Sequence, residues 1–295
     1  MPYSHILDKI THKIITLSTV ICIILFYVVE EYYLNLIGFF GILSFGIVHG
    51  ANDLILLKKS KNNLSFKSLF IVYLTMVILS GCFFYLIPTF AIIFFILFSA
   101  YHFGEQQWTM LYKSSSTKIK LFYFFYGLLL FLTLFTLNHN YVSEIIFDIT
   151  GFSISEKILI SLLSLSAIGA IINLFMNFNE LKNQLTHQVF FMIILTALFF
   201  SSSLIWSFAV YFVIWHSIPS IIEQSKFIYG TSTKNTFIKY LKDASIYWVI
   251  SIIGLLIAYY VLKDQQNLLI SIFFSFLAAI TFPHTLVIFK IKKNN

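Results

Sequence analysis

The sequence predicts an all-α, polytopic membrane bundle, and three observations predict it. Of 295 residues, 59% are hydrophobic and only 11% charged, with a mean hydropathy of +0.89, which excludes a soluble globular domain. Apolar runs of about 20 residues, the length a helix needs to cross a bilayer, recur along the whole chain. The lysines cluster in alternate connecting segments, as in the cytoplasmic loops of membrane proteins. No linker separates domains, so residues 1–295 read as a single transmembrane domain.

In order, ten spans are expected at about 14–29, 32–57, 67–87, 88–112, 119–138, 157–177, 183–201, 203–222, 244–262 and 268–289. The first has Lys9 and Lys13 before a short apolar core, as a signal peptide does. It lacks a small-residue cleavage site and ends at Glu30-Glu31, so it reads as a retained helix. Residues 139–156 predict a short helix on the surface, and 223–243 the largest polar loop. With both termini cytoplasmic, 17 of the 19 lysines fall inside and only Lys157 and Lys263 outside. Merging or splitting any span destroys that alternation. The net charge of +7 is therefore a topology signal and implies no nucleic-acid partner. All the basic residues are lysines, so bidentate arginine clamps on phosphate are absent. Cys22 and Cys82 sit in apolar segments and read as packing residues rather than a disulfide or a redox pair.

Four histidines interrupt apolar spans: His49 in Gly46-Ile-Val-His-Gly-Ala-Asn-Asp53, His102 in Ser99-Ala-Tyr-His-Phe-Gly-Glu105, His216 in Trp215-His-Ser-Ile-Pro219, and His284 in Phe282-Pro-His-Thr285. Ionisable side chains at membrane depth are costly and mark functional interiors. All four lie in even-numbered spans, 9, 11, 10 and 6 residues before the next inner lysine. At ~1.5 Å per residue that sets them about 9–17 Å inside the cytoplasmic boundary. His5, His12, His139 and His187 fall at the terminus or at span ends and read as interfacial residues. One buried histidine is ordinarily a packing residue, but four at matched depth suit one metal, and imidazole suits Fe, Cu, Zn or Ni. Metal-bound histidines usually donate their other N–H to an acceptor. Asp53, Glu105 and Glu223 stand at i+4, i+3 and i+7 from His49, His102 and His216, the helical spacing for that role. The G-x-x-x-G of Gly46 and Gly50, and Gly104 after His102, permit close helix approach. Pro219 and Pro283 remove helix hydrogen bonds beside His216 and His284, as happens where backbone is buried or lines a cavity. The 35 Phe and 17 Tyr suit either an aromatic lipid-facing surface or the lining of a site for a lipophilic ligand.

These residues resemble the Brp/Blh family of bacterial membrane β-carotene 15,15′-dioxygenases. The resemblance rests on His49-Gly-Ala-x-Asp53, Ser99-Ala-Tyr-His-Phe-Gly104, Trp215-His-Ser217 and Pro283-His-x-Leu-Val287, in family order and spanning nearly the whole chain. It implies a multi-pass protein of the inner (cytoplasmic) membrane that cleaves the central double bond of β-carotene or a related carotenoid with O₂. It also implies Fe(II) held by histidine, matching the set His49, His102, His216 and His284, and a retinal product passed to a rhodopsin; the substrate is expected in a Phe- and Tyr-lined tunnel. The third motif departs from the family, which commonly has a second histidine four residues on, where this chain has Ser220. Ser220 is expected to act beside the metal ligands rather than as one of them.

Two other classes compete. A transporter or metal-permeation protein would line its path with His and Asp, but typically shows inverted repeats; here all four histidine spans run in one direction. A di-iron desaturase would need about twice as many ligands, in clustered H-x-x-x-H motifs that the chain lacks.

Overall fold

The computed structural model describes residues 2–60, 65–109, 119–262 and 269–294, with side chains from His12 to Ile291 except at 258, 261–262 and 269–271. Lys61, Lys113, Lys118 and Lys263 lie outside the described residues, as do the side chains of His5, Lys9, Lys292 and Lys293. Everything described is helix or short turn, with no strand among the described residues. The helices are α1 (Pro2–Val28), α2 (Glu31–Lys59), α3 (Phe66–Leu86), α4 (Pro88–Thr109), α5 (Lys120–Leu137) and α6 (His139–Thr150). They continue as α7 (Glu156–Met176), α8 (Phe178–Ser201), α9 (Leu204–Tyr229), α10 (Lys234–Leu262) and α11 (Leu269–Asn294).

Among the described residues nine helices are long and apolar enough to cross a membrane; α1 adds a shorter apolar stretch, His12–Val28. This is the polytopic bundle the sequence predicts, with the short helix expected between 139 and 156 as α6. The polar stretch 223–243 is not a loop. Helix α9 runs on to Tyr229 and closes at Gly230, whose left-handed φ of 82° only glycine takes without strain. Thr233 and Thr236 then hydrogen-bond to each other across the start of α10. The stretch is polar partly because Gln224 and Ser225 serve the protein interior.

Chain starts and stops follow local chemistry. Ser65 caps α3 by accepting from the Ser68 N–H at 3.1 Å, and Ser203 caps α9 by accepting from Trp206 at 3.4 Å. Pro88 opens α4, where its missing N–H costs nothing. Two irregularities have no such sequence mark: π-helical turns at Ile42–Gly46 in α2 and Tyr211–Ser217 in α9. A third break, the turn at Asn52, divides α2 again.

The chain forms two compact units. The first comprises Met1–Ile42, Ser99–Ser143 and Ile154–His216. Within it α5 packs along α7, α1 along α8, and the first half of α2 along the first half of α9. Small residues make these approaches possible. A Cβ on Gly104 would overlap the Tyr123 carbonyl, and one on Gly127 would overlap Ala100, so α4 and α5 touch backbone to backbone. A Cβ on Gly169 would strike the Phe125 ring. The second unit comprises Leu43–Phe98, Glu144–Ser153 and Ser217–Asn295. Its core of Leu54, Leu56, Leu57, Leu69, Ile221, Tyr240 and Val287 joins the end of α2 to α3, α9, α10 and α11.

Candidate functional site

In the second unit, His49 and His284 stand edge to face, ring centres 4.7 Å apart. Gly50 lies against this pair: a Cβ there would sit 3.4 Å from His284 Nδ1, in van der Waals contact. Asp53, 1% exposed, does not sit beneath His49 as its i+4 spacing suggests; its Oδ1 lies 2.8 Å from Nδ1 of His284, on another helix. The Tyr73 hydroxyl donates to the other carboxylate oxygen at 2.9 Å. A carboxylate at membrane depth has to be paired in this way. With the proton on Nδ1 facing Asp53, Nε2 of His284 carries the lone pair, the arrangement in which a carboxylate orients a metal-binding histidine. The Tyr240 hydroxyl faces two acceptors, the His49 carbonyl at 3.0 Å and Gln224 Oε1 at 2.6 Å, and shares its one proton between them, while Asn52 Nδ2 donates to the Tyr240 carbonyl at 3.0 Å.

In the first unit, His102 and His216 form a second edge-to-face pair with ring centres 5.0 Å apart. Phe103 lies flat on His216 at 3.9 Å, and Phe212 stacks at 5.5 Å, fixing the plane of the imidazole. Gln106 Nε2 donates to the His216 carbonyl at 2.9 Å. That carbonyl belongs to the π-helical turn that Pro219 follows. Next to it, Trp215 Nε1 donates to Thr19 Oγ1 at 2.9 Å, tying α9 to α1.

Both pairs suit a metal. Two imidazoles sharing one cation at the ~2 Å metal–nitrogen distance put their ring centres about 4.5–5 Å apart when adjacent. All four histidines are buried, and His284 has its acceptor in Asp53. The histidines come in twos, however; among the described residues no three or more His, Cys, Asp or Glu side chains are grouped to hold an ion.

The other candidates occupy different settings. Glu105 accepts from the Tyr101 hydroxyl at 3.0 Å, one turn back on α4. Glu223 is exposed, and the buried polar side chain of that turn is its neighbour Gln224. Gln224 Nε2 donates to Ser220 Oγ at 2.9 Å, so Ser220 is engaged with its own helix. His187 is exposed and His139 half-buried, whereas His12 is buried and stacked on Phe191 at 5.3 Å. Tyr73, Tyr240, Gln224, Asn52 and Gln106 escaped sequence reasoning. Their one detectable signal is polar groups at otherwise apolar helical positions, and the π-helical turns gave none.

Fold and site together define an integral membrane protein with paired intramembrane histidines, one pair braced by a buried carboxylate. The sequence profile described as beta-carotene 15,15′-dioxygenase matches residues 40–292, so the chain belongs to that family. The activity that goes with the family is carotenoid 15,15′-dioxygenation. No curated protein and no solved structure matches the chain significantly.

Proposed function

We propose that this protein cleaves the central 15,15′ double bond of β-carotene, or a related carotenoid, with O₂ to give two molecules of retinal. In this reading Fe(II) is held by His49, His102, His216 and His284, in a cell inner membrane with both termini cytoplasmic. The observation that carries it is two pairs of buried imidazoles, one hydrogen-bonded to Asp53, in a chain of this family.

Iron, when bound, supplies the activation of O₂. The chain's own residues do the rest. Adding O₂ across one carbon–carbon double bond and parting it into two aldehydes balances without gain or loss of a proton. No general acid or base is therefore required. Asp53 keeps the proton of His284 on Nδ1, and Tyr73 holds that carboxylate in place. Phe103 and Phe212 fix the plane of His216 and keep its surroundings apolar, which suits a hydrocarbon substrate and excludes water.

Iron analysis of the purified protein tests the ligand set. Alanine at His49, His102, His216 or His284 is expected to strip most of the iron, while alanine at His139 or His187 leaves it. Full iron occupancy in His49→Ala would end the four-histidine reading.

A further inference from the structure

Four buried polar residues of the second unit, Ser220, Gln224, Tyr240 and Asn52, form one continuous array that reaches the backbone of His49. Ser220 Oγ accepts from Gln224 Nε2 at 2.9 Å; Gln224 Oε1 lies 2.6 Å from the Tyr240 hydroxyl; that hydroxyl lies 3.0 Å from the His49 carbonyl; and Asn52 Nδ2 donates to the Tyr240 carbonyl at 3.0 Å. Ser220 and Gln224 are 7% and 5% exposed, and Tyr240 and Asn52 are fully buried. The array ends at the one turn of α2 that is not helical, Asn52 with φ −91° and ψ 14°. Polar groups freed by a broken membrane helix must be satisfied from neighbouring elements.

We propose that Tyr240 and Gln224 are positioning residues for His49, with Asn52 and Ser220 completing the clamp. The proposal rests on the reading of His49 as a metal ligand. The Tyr240 hydroxyl, whose one proton is shared between the His49 carbonyl and Gln224 Oε1, and the Asn52 amide, which donates to the Tyr240 carbonyl, join the same two turns. Together they fix both the separation of α2 and α10 and the rotation of the turn that carries the imidazole. Gln224, reaching from α9, fixes the Tyr240 hydroxyl, and Ser220 takes the other end of its amide. The Tyr240 ring packs in the apolar core with Leu56, Ile221 and Val287, so removing only the hydroxyl leaves that packing in place.

The test uses the full-length protein in detergent, depleted of metal and titrated with Co(II), whose visible ligand-field bands report ligand geometry. Tyr240→Phe is expected to weaken Co(II) binding about 10–100-fold, the usual effect of losing a group that orients a metal ligand, and to shift those bands. Gln224→Leu, which takes away the 2.6 Å partner that holds the Tyr240 hydroxyl, is expected to do the same to a lesser degree. Tyr259→Phe, at an exposed position on the same helix, is the control and leaves both readouts unchanged. Melting temperature separates loss of fold from loss of positioning; if Tyr240→Phe does not fold, Gln224→Leu decides alone. Wild-type affinity and bands in folded Tyr240→Phe and Gln224→Leu, with binding lost in His49→Ala, would overturn the positioning role while sparing the ligand. Retention of Co(II) by His49→Ala would instead remove the ligand reading and the proposal with it.

Discussion

Asp53 is held by both oxygens, by His284 Nδ1 at 2.8 Å and by the Tyr73 hydroxyl at 2.9 Å, and the first bond matters more for a metal. An interhelical hydrogen bond in a membrane stabilises the fold by only about 0.6 kcal/mol on average, so orientation is the larger consequence. Asp53→Asn keeps the size and loses the charge that holds the proton on Nδ1. It is expected to weaken iron binding about 10–100-fold in chelator competition, with Tyr73→Phe closer to wild type because the bond to His284 survives. Equal iron affinity in Asp53→Asn and the wild type would show that the carboxylate serves packing alone. At this scale the sequence revealed the carboxylate but not its partner. Spacing of i+4 pairs residues only along one helix, and the bond that forms crosses from α2 to α11, a contact that no periodicity encodes.

The helices are set by close approach as much as by apolar periodicity. Gly104 and Gly127 meet the backbone of the facing helix, where no side chain can move aside. Gly104→Ala or Gly127→Ala is expected to destabilise the protein by about 1–3 kcal/mol or more through overpacking, read as a lower melting temperature in detergent. Gly81 on α3 has open space around it, so Gly81→Ala should be neutral or stabilise by about 0.5–1 kcal/mol. A melting temperature for Gly127→Ala equal to the wild type would refute the backbone contact. Glycine beside a histidine motif was legible as a close approach, since only a missing side chain lets two helices touch. The π-helical turns at 42–46 and 211–217 were not legible, because Ile-Leu-Ser-Phe-Gly is ordinary helix sequence and the extra residue per turn is imposed by packing. The polar stretch 223–243 misled for a related reason. Polarity there marks Gln224 and Ser225 buried among other helices, as well as residues at helix ends.

Across the whole molecule the aromatic residues divide between two environments. Phe40, Tyr85 and Phe200 are 74–83% exposed and suit contact with lipid, whereas Phe103 and Phe212 stack on His216, with Phe131 and Tyr211 packed against Phe103. Composition announced the excess without saying which aromatics faced inward, because both environments are apolar. The bundle itself was legible from hydropathy, since a helix in lipid must satisfy its own backbone and carry an apolar surface. Cleavage of a carotenoid at its middle bond is the activity proposed for this chain. The most direct measurement is made in bacterial cells that accumulate β-carotene, supplied with ¹⁸O₂ and quenched by rapid reduction of aldehydes before exchange with water. Expected are loss of pigment that requires O₂, retinol as the trapped product with one labelled oxygen in each molecule, and neither outcome in His102→Ala. Pigment that persists beside well-expressed, iron-loaded protein, or the same bleaching in His102→Ala, would contradict it.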